Sequence, residues 1–176
     1  MTEIQFRLLL PTDHSQYRRA RLECLQQFPT NFGSTHEEES QNKELKLDKA
    51  IKIPSITNFV YGAFATKDKL IGICGFITES RKRAAHRGEV IHMFVDKTYN
   101  GKGIGKKLLQ LTLNTAFSNP QIEQIILSAV LENQNAINFY KKMGFTEYGR
   151  IENWFKMEHG YTGQIFMVKN KNIKNY

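Results

Sequence analysis

A run of alternating glycines gives the chain its first candidate for chemistry. Gly101, Gly103 and Gly105 occupy every second position between Asn100 and Lys106, after an apolar segment and before a helical pattern. Glycines leave the backbone bare of side chains, so that consecutive N–H groups can close around an anion. The unpaired N–H groups and the positive dipole end of the following helix add to that attraction. The spacing therefore predicts a phosphate-binding turn.

The spacing differs from two familiar phosphate-binding motifs. A P-loop has four residues between its first glycine and a Gly-Lys pair, followed by Ser or Thr. Here three residues separate Gly101 from Gly105, and Lys107 stands at the hydroxyl position. A dinucleotide-binding turn reads G-x-G-x-x-G directly after its strand, whereas this G-x-G-x-G is separated from Val95 by five residues. A glycine-rich connection without a ligand is the plain alternative.

A second segment gives the turn a context. Residues 133–145 read N-x-x-A-x-x-x-Y-x-K-x-G-F. With the turn at 100–105, close to (Gln/Arg)-x-x-Gly-x-(Gly/Ala), they resemble the two acetyl-CoA-binding motifs of the GNAT family of N-acetyltransferases. The resemblance extends over about residues 55–169. Asn100 stands where the family prefers Gln or Arg, and it keeps a hydrogen-bonding amide with less reach and no charge.

The resemblance implies acetyl-CoA as co-substrate, with no metal and no covalent intermediate. The N–H groups of the glycine turn would take the diphosphate, and main-chain groups before the turn would meet the pantetheine amides where two parallel strands splay apart. The cofactor-binding residues implied in this way are Phe94, Val95, Asn100, Gly101, Lys102, Gly103, Ile104, Gly105, Lys106, Asn133, Ala136, Phe139, Tyr140 and Lys142.

Direct attack on the thioester requires a neutral amine. An alkyl amine of pKa about 10.4 is mostly protonated at pH 7, a deficit of roughly 4 kcal/mol, so a general base should help, directly or through water. Glu89 lies where part of the family carries its catalytic glutamate, and His92 has a suitable ordinary pKa. Their strand parity is opposite, so both face one cleft only if a bulge intervenes. A strand-edge carboxylate beside Arg87 and a structural sheet histidine are the alternatives.

The departing thiolate of coenzyme A requires a proton, and the resemblance assigns its delivery to a tyrosine. Tyr140 matches the family position. In a helix over 134–143, Ala136, Tyr140 and Met143 share one face, so that the hydroxyl can point towards the cofactor while the ring packs. A purely structural Tyr140 is the alternative.

The acceptor side is less well defined by the sequence. In the GNAT family it is formed by the first two helices and the last hairpin. Apolar and acidic residues in the first two helices predict a rim suited to a cationic amine, although core packing and helix capping explain them equally well. The residues assigned to the acceptor are Phe28, Pro29, Phe32, Gly33 and Glu37–Glu39 on one wall, and Trp154, Phe155 and Tyr161 on the other.

Hydrophobic periodicity places these residues on a mixed sheet in the order β-α-α-β-β-β-α-β-α-β-β. The strand, helix and strand around the glycine turn imply a parallel pair, and the hairpins on either side imply antiparallel strands. We expect an α/β (α+β) GNAT-like fold with a twisted, mostly antiparallel sheet of about seven strands, flanked by four helices. The predicted strands cover 4–10, 58–65, 70–78, 89–95, 122–130, 145–155 and 161–169, and the predicted helices run from about 13 to 28, from 34 or 35 to about 52, from the glycine turn to about 117, and over 134–143.

Length and composition indicate one globular domain. The chain has 176 residues, 40% of them hydrophobic and 24% charged, which is enough to bury a core. Neither a repeat nor a Pro/Gly/Ser-rich linker divides it. We expect a single N-acetyltransferase domain over 1–176, with the N-terminal strand and acceptor-side helices in 1–54, the acetyl-CoA-binding core in 55–145 and the C-terminal hairpin in 146–170.

The net charge and the positions of the cysteines limit the classes of partner that we expect. The net charge is +8, but the basic residues are scattered and are not interleaved with aromatics as a base-stacking groove requires, so we expect no nucleic acid. Cys24 and Cys74 fall in a helical and a strand pattern, which favours buried free thiols. Neither a secretion signal nor an apolar run of about 18 residues is visible, which favours a cytoplasmic protein without membrane binding.

These observations predict an acetyl-CoA-dependent N-acetyltransferase that acts on a primary amine of a small molecule or peptide. Glu89 or His92 is the candidate base, and Tyr140 is the candidate acid. A coenzyme A-binding sensor without turnover and, less favoured, a basic nucleic-acid-binding module are the alternatives. A homodimer is compatible with the sequence.

Overall fold

The computed structural model describes residues 4–158 and 160–171, and its strands form one seven-stranded sheet in the order β1-β2-β3-β4-β5-β7-β6. All neighbouring pairs are antiparallel except β4 and β5, which are parallel. The mixed, mostly antiparallel sheet predicted from the sequence is confirmed. The strands are β1 Gln5–Leu8, β2 Asn58–Ala65, β3 Lys69–Thr78, β4 Arg87–Val95, β5 Gln124–Val130, β6 Thr146–Met157 and β7 Gly160–Asn170.

Helices cover both faces of the sheet because successive strand residues point to opposite sides. Leu108 and Ile137 lie in one apolar core with Phe59 and Ala63, whereas Tyr17 and Ile51 lie in a second core. Within the described residues the α-helices are α1 His14–Gln27, α2 His36–Gln41, α3 Asp48–Lys52, α4 Ile104–Ser118 and α5 Gln134–Lys142. None of them has the length and apolar character needed to cross a membrane.

The helix predicted from Ser34 or Thr35 to about Lys52 is wrong in one respect, because it is divided into α2 and α3. The capping box is present at its start, where Thr35 and Glu38 exchange hydrogen bonds. The chain then becomes extended at Asn42. Leu45 and Leu47 are both buried, and a spacing of two cannot place both on one face of a helix. The Asp48 carboxylate accepts the N–H of Leu45 at 2.9 Å, and α3 begins at Asp48.

The parallel pair β4–β5 is joined over a short length only. Arg87, Gly88 and Glu89 are aligned with Gln124, Ile125 and Ile126, and the pairing ends there. Beyond it, β4 continues along β3 and β5 continues along β7. The two strands therefore diverge and open the sheet on the side that leads to the glycine turn.

Candidate active site

The glycine turn leaves main-chain N–H groups unpaired at the N-terminus of α4. Gly101 and Gly103 have φ values of 76° and 75°, in the left-handed region that favours glycine. The first intrahelical bond runs from the N–H of Lys107 to the carbonyl of Gly103 at 3.1 Å. The N–H groups of Ile104, Gly105 and Lys106 therefore have no acceptor within the helix, and they are available to a phosphate group.

Three cavities extend from this turn into the molecule. The first, the cradle, has a volume of about 300 Å³. The second, the channel, has about 260 Å³, and the third, the chamber, has about 290 Å³. The cradle is lined by Val95, Tyr99, Asn100, Gly101, Gly103, Ile104, Gly105, Lys106 and Phe139.

The channel connects the cradle to the chamber. It shares Val95, Gly105 and Phe139 with the cradle, and it shares Met93 and Tyr140 with the chamber. Its full lining is Phe28, Asn31, Phe32, Met93, Phe94, Val95, Asn100, Gly105, Asn133, Ala136, Phe139 and Tyr140. An elongated ligand with a phosphate end can thus extend from the cradle to the chamber along one path.

A bulge in β4 brings the two candidate bases to the same cavity. Ile73 is aligned with Phe94 and Gly75 with Ile91, so that His92 and Met93 together stand opposite a single residue of β3. His92 has a φ of 54°, which is unusual for a residue with a side chain. Both Glu89 and His92 line the chamber. In a regular strand Glu89 and His92 would face opposite sides of the sheet. This bulge is the irregularity that lets both side chains face the chamber, as the sequence analysis required.

His92 is held in its neutral form. Its Nδ1 lies 3.1 Å from the hydroxyl oxygen of Tyr17, and the two rings are stacked. Burial is the main cause that lowers the pKa of His92 well below its ordinary value, and the positive charges of Arg21 and Lys46 lower it further. An imidazole in this state is neutral at pH 7 and is a weaker base than an ordinary histidine. Burial also raises the pKa of Tyr17, so that its hydroxyl stays protonated.

Glu89 lies near the outer side of the chamber. One carboxylate oxygen is 3.7 Å from Nζ of Lys46, and the two side chains are 35% and 54% exposed. An ion pair of this length and exposure contributes little to stability. Glu89 is therefore free to meet water or a ligand in the chamber.

Tyr140 stands where the channel and the chamber meet. Its ring packs against Phe139 and Phe145, and only 8% of the residue is exposed. Burial raises the pKa of its hydroxyl, which therefore carries its proton at neutral pH. A protonated phenol beside the channel is suited to donate to a thiolate.

A family model described as "Acetyltransferase (GNAT) family" matches residues 20–145. This stretch includes the cradle, the channel and Tyr140. The chain belongs to the GNAT family. The membership predicted from the two motifs is confirmed.

Individual GNAT proteins resemble the chain over almost all of its length in structure and over about half of it in sequence. An acetyltransferase of the GNAT family from Streptococcus pneumoniae superposes with a TM-score of 0.78 at 26% identity, over 96% of this chain and 100% of that one. N-alpha-acetyltransferase 30 from Schizosaccharomyces pombe is 28% identical over 88 residues, which are 50% of this chain and 58% of that protein. Spermidine N(1)-acetyltransferase from Vibrio cholerae is 24% identical over 110 residues, 61% of this chain and 64% of that protein. The chain thus spans roughly half the length of the curated GNAT relatives it matches in sequence.

Most cofactor-binding residues implied by the GNAT resemblance line the cradle or the channel, and two do not. Lys102 lies with its Nζ 5.1 Å from the centre of the Tyr99 ring. Lys142 is exposed near the end of α5 and lines none of the three cavities. Asn133 lines channel and chamber, and its Oδ1 accepts the N–H of Ala136 at 3.1 Å, capping α5. Among the described residues, no group of three or more His, Cys, Asp or Glu side chains is placed to hold a metal ion.

The acceptor side of this GNAT site differs from the wall predicted for it. Phe28 lines the channel and Phe32 lines channel and chamber. Trp154 and Tyr161 are 46% and 59% exposed and line neither cavity. Phe155, next to Trp154 on β6, does line the chamber, because alternate strand residues face opposite sides.

The acidic rim expected from Glu37–Glu39 is absent from the chamber lining. Glu38 caps α2, and Glu39 is buried against Arg21. The lining instead contains Arg21 and Lys46, which the sequence reasoning missed. Arg21 did leave a signal, because it falls on the apolar stripe of α1 between Tyr17 and Cys24, where a charge requires a partner.

Proposed function

We propose that the chain transfers an acetyl group from acetyl-CoA to the primary amine of a small molecule or peptide, in a ternary complex. The observation that carries this proposal is the continuous path from cradle to chamber beside Tyr140. The N–H groups of Ile104, Gly105 and Lys106 would bind the diphosphate, and the channel would hold the pantetheine arm. Acetyl-CoA supplies the acetyl thioester, and the GNAT relatives that act on N-termini or polyamines support an amine acceptor.

The divergence of β4 and β5 supports the placement of the thioester. Met93 and Phe94 of β4 line the channel, while Ser128 and Ala129 of β5 line the chamber. A pantetheine arm in the gap would place its thiol end where the two cavities join. The amine in the chamber would then approach the thioester carbonyl from the side of Glu89 and His92.

The chemistry is a direct exchange of one bond for another. The amine nitrogen forms a bond to the acetyl carbon, and the carbon–sulfur bond breaks. One proton leaves the amine for Glu89 or His92, directly or through water, and one proton reaches the departing sulfur from Tyr140. Proton transfers of this kind contribute about 10²- to 10⁴-fold each to a rate.

Thiol release from acetyl-CoA, measured across polyamines, amino acids, aminoglycosides and peptide N-termini, tests the proposal. At least one class of amine should release free thiol and yield an N-acetylated product by mass spectrometry. Tight coenzyme A binding without turnover of any amine would contradict the proposal and favour a sensor.

Tyr140→Phe tests the assignment of the acid. We expect kcat to fall about 100-fold with acetyl-CoA affinity nearly unchanged, because the ring and its packing remain. Tyr61→Phe is the matched control, since its hydroxyl bonds Thr115 away from the three cavities. A parallel loss of cofactor affinity in Tyr140→Phe would contradict the acid role.

A further inference from the structure

Arg21 is the one buried charge among the described residues that line the chamber. It is 2% exposed, whereas Glu89 and Lys46 are open to solvent. Burying a guanidinium is costly unless its charge and its N–H groups are matched. Its hydrogen bonds therefore show which of its N–H groups still lack an acceptor.

Glu39 satisfies only one edge of this guanidinium. Nε of Arg21 donates to Oε2 of Glu39 at 2.8 Å, and Nη2 donates to Oε1 at 2.6 Å. Nη1 is buried and has no hydrogen-bond partner among the described residues. Its two N–H groups thus lack an acceptor next to the chamber that Arg21 lines, and the Cys24 thiol is a further side chain in contact with Arg21. The Phe32 ring lies 5.1 Å from the guanidinium carbon and helps to fix its plane.

The other charges around Arg21 make the chamber unsuited to a polycation. Lys46 adds a second positive charge to the lining, and within residues 4–158 and 160–171 Glu89 is the one carboxylate that lines the chamber. Burial raises the pKa of the nearby Tyr17 hydroxyl, and it raises that of the Cys24 thiol to about 12, so both groups stay neutral. The acidic run Glu37–Glu39 supplies no free carboxylate here. Glu39 is already paired with Arg21, and Glu89 alone cannot match the several ammonium groups of a polyamine.

We propose that the acceptor is a small amine that also carries a carboxylate, as an amino acid does, and that Nη1 of Arg21 binds this carboxylate. This inference rests on the proposed function and names the substrate class of the same site. The Arg21 contact would hold one end of the acceptor, while its amine lies towards Glu89 and His92. Lys46, at the outer side, would add attraction for the same anionic group.

The rate of acetylation of matched acids and amides tests the inference on the unmodified protein. Each amino acid is compared with its own carboxamide, which has the same shape without the negative charge. The carboxamide has the less basic amine, so basicity works against the expected result. We expect kcat/KM to be at least 100-fold higher for the acid, because a site built to bind a polar group rejects the analogue that lacks it. Spermidine should be a poor acceptor.

The double variant Arg21→Gln/Glu39→Gln tests whether the preference for the acid over its carboxamide depends on the Arg21 guanidinium. The double variant removes both buried charges together, so that no unpaired charge remains. We expect the acid-to-amide ratio to fall at least tenfold in the double variant. Glu39→Gln alone keeps the guanidinium and should keep the preference. Arg18→Gln, which replaces a half-buried arginine on the same helix that does not line the chamber, controls for loss of charge.

Lys46→Gln covers the case in which the double variant does not fold. Lys46 is half exposed, so the protein should keep its structure, and the acid-to-amide ratio should fall about threefold, as expected for a screened surface charge. An unchanged ratio would count against the inference.

Failure of this inference can be distinguished from failure of the proposed function. If spermidine or the carboxamides react as well as the acids, the chain is an acetyltransferase and the carboxylate contact is wrong. If no amine is acetylated, the proposed function fails. Calorimetry with N-acetyl amino acids and their amides, in the presence of coenzyme A, then decides the Arg21 contact. Equal affinity for acid and amide would overturn it, and stronger binding of the acid would support it.

Discussion

The cradle takes almost all of its lining from residues 95–106, whereas the chamber takes its lining from segments as far apart as Arg21 and Gln164. The cradle presents main-chain N–H groups, and the chamber presents side chains. A site of the first kind is specified by local spacing, so it can be read directly along the chain. A site of the second kind exists only once distant segments pack together. The donor half and the acceptor half of the site therefore differ in how sequence defines them.

The largest effect is expected where the backbone itself forms the site. Gly103→Val would place a β-branched residue at a φ of 75°, which is strongly disfavoured. Because the turn would have to change its conformation, the N–H groups would lose their alignment. We expect the Kd for acetyl-CoA to rise about 100-fold, equivalent to about 2.7 kcal/mol.

Gly149→Val is the matched control for that variant. Gly149 lies in β6 with no positive φ, and an added Cβ would meet its nearest neighbour at 4.0 Å. Cofactor affinity, measured by calorimetry, should stay near that of the wild type. If Gly103→Val binds acetyl-CoA as well as the control does, the backbone cradle is not the phosphate site.

A smaller effect is expected from a single wall of the chamber. Phe155→Ala removes a ring that lines the chamber and packs directly against Gly33. We expect the KM for the acceptor to rise about tenfold, or about 1.4 kcal/mol, in keeping with the loss of part of a buried aromatic contact. Steady-state kinetics with saturating acetyl-CoA would measure it.

Trp154→Ala is the control for Phe155→Ala, because Trp154 is the adjacent residue and lies outside the chamber. Trp154 is exposed and packs against Phe155 and Phe166 outside the chamber. Its substitution should change the KM for the acceptor by less than about threefold. If Trp154→Ala raised the KM for the acceptor more than Phe155→Ala does, Trp154 would contact the acceptor as the sequence analysis predicted.

The smallest effect concerns the pH dependence of stability at His92. In the unfolded chain a histidine titrates near pH 6.5, whereas the pKa of His92 in the fold lies well below that value. Below about pH 6.5 the unfolded chain therefore binds a proton that the folded protein does not, and the free energy of unfolding falls as the pH falls. The contribution is about 1 kcal/mol per pH unit.

His92→Gln should remove this part of the pH dependence, because glutamine keeps an acceptor for Tyr17 and does not titrate. Urea unfolding at pH 7.5 and pH 5.5 compares the two proteins. The wild type should lose about 1 kcal/mol more stability between these values than the variant does. An equal loss in both would show that His92 is readily protonated in the fold.

Several features of the fold were predictable because they depend on neighbours along the chain. Alternation of apolar residues located the strands to within a few residues, and the capping box located the start of α2. The division between α2 and α3 was missed, since it depends on the burial of Leu45 and Leu47 against the sheet. Their spacing was visible, but their common burial was not.

In the candidate site, too, the residues that could be predicted are those that belong to local sequence motifs. The cradle and channel linings include Gly101, Gly103, Gly105 and Tyr140, as predicted. These residues could be found from the sequence because each belongs to a motif of neighbouring residues. The roles proposed for Glu89, His92 and Tyr140 stay predictions until kinetics test them.

The family, the sheet and the glycine turn could be predicted from the amino-acid sequence, because glycine spacing and hydrophobic periodicity act over a few residues. The character of the chamber, in contrast, depends on the packing of distant segments. This packing placed Glu39 against Arg21, left Nη1 without a partner, and turned Phe155 inward while Trp154 remained outside. The physical reason is that the charge balance of a cavity depends on which distant side chains neutralise one another, and that pairing is fixed only when the chain has packed.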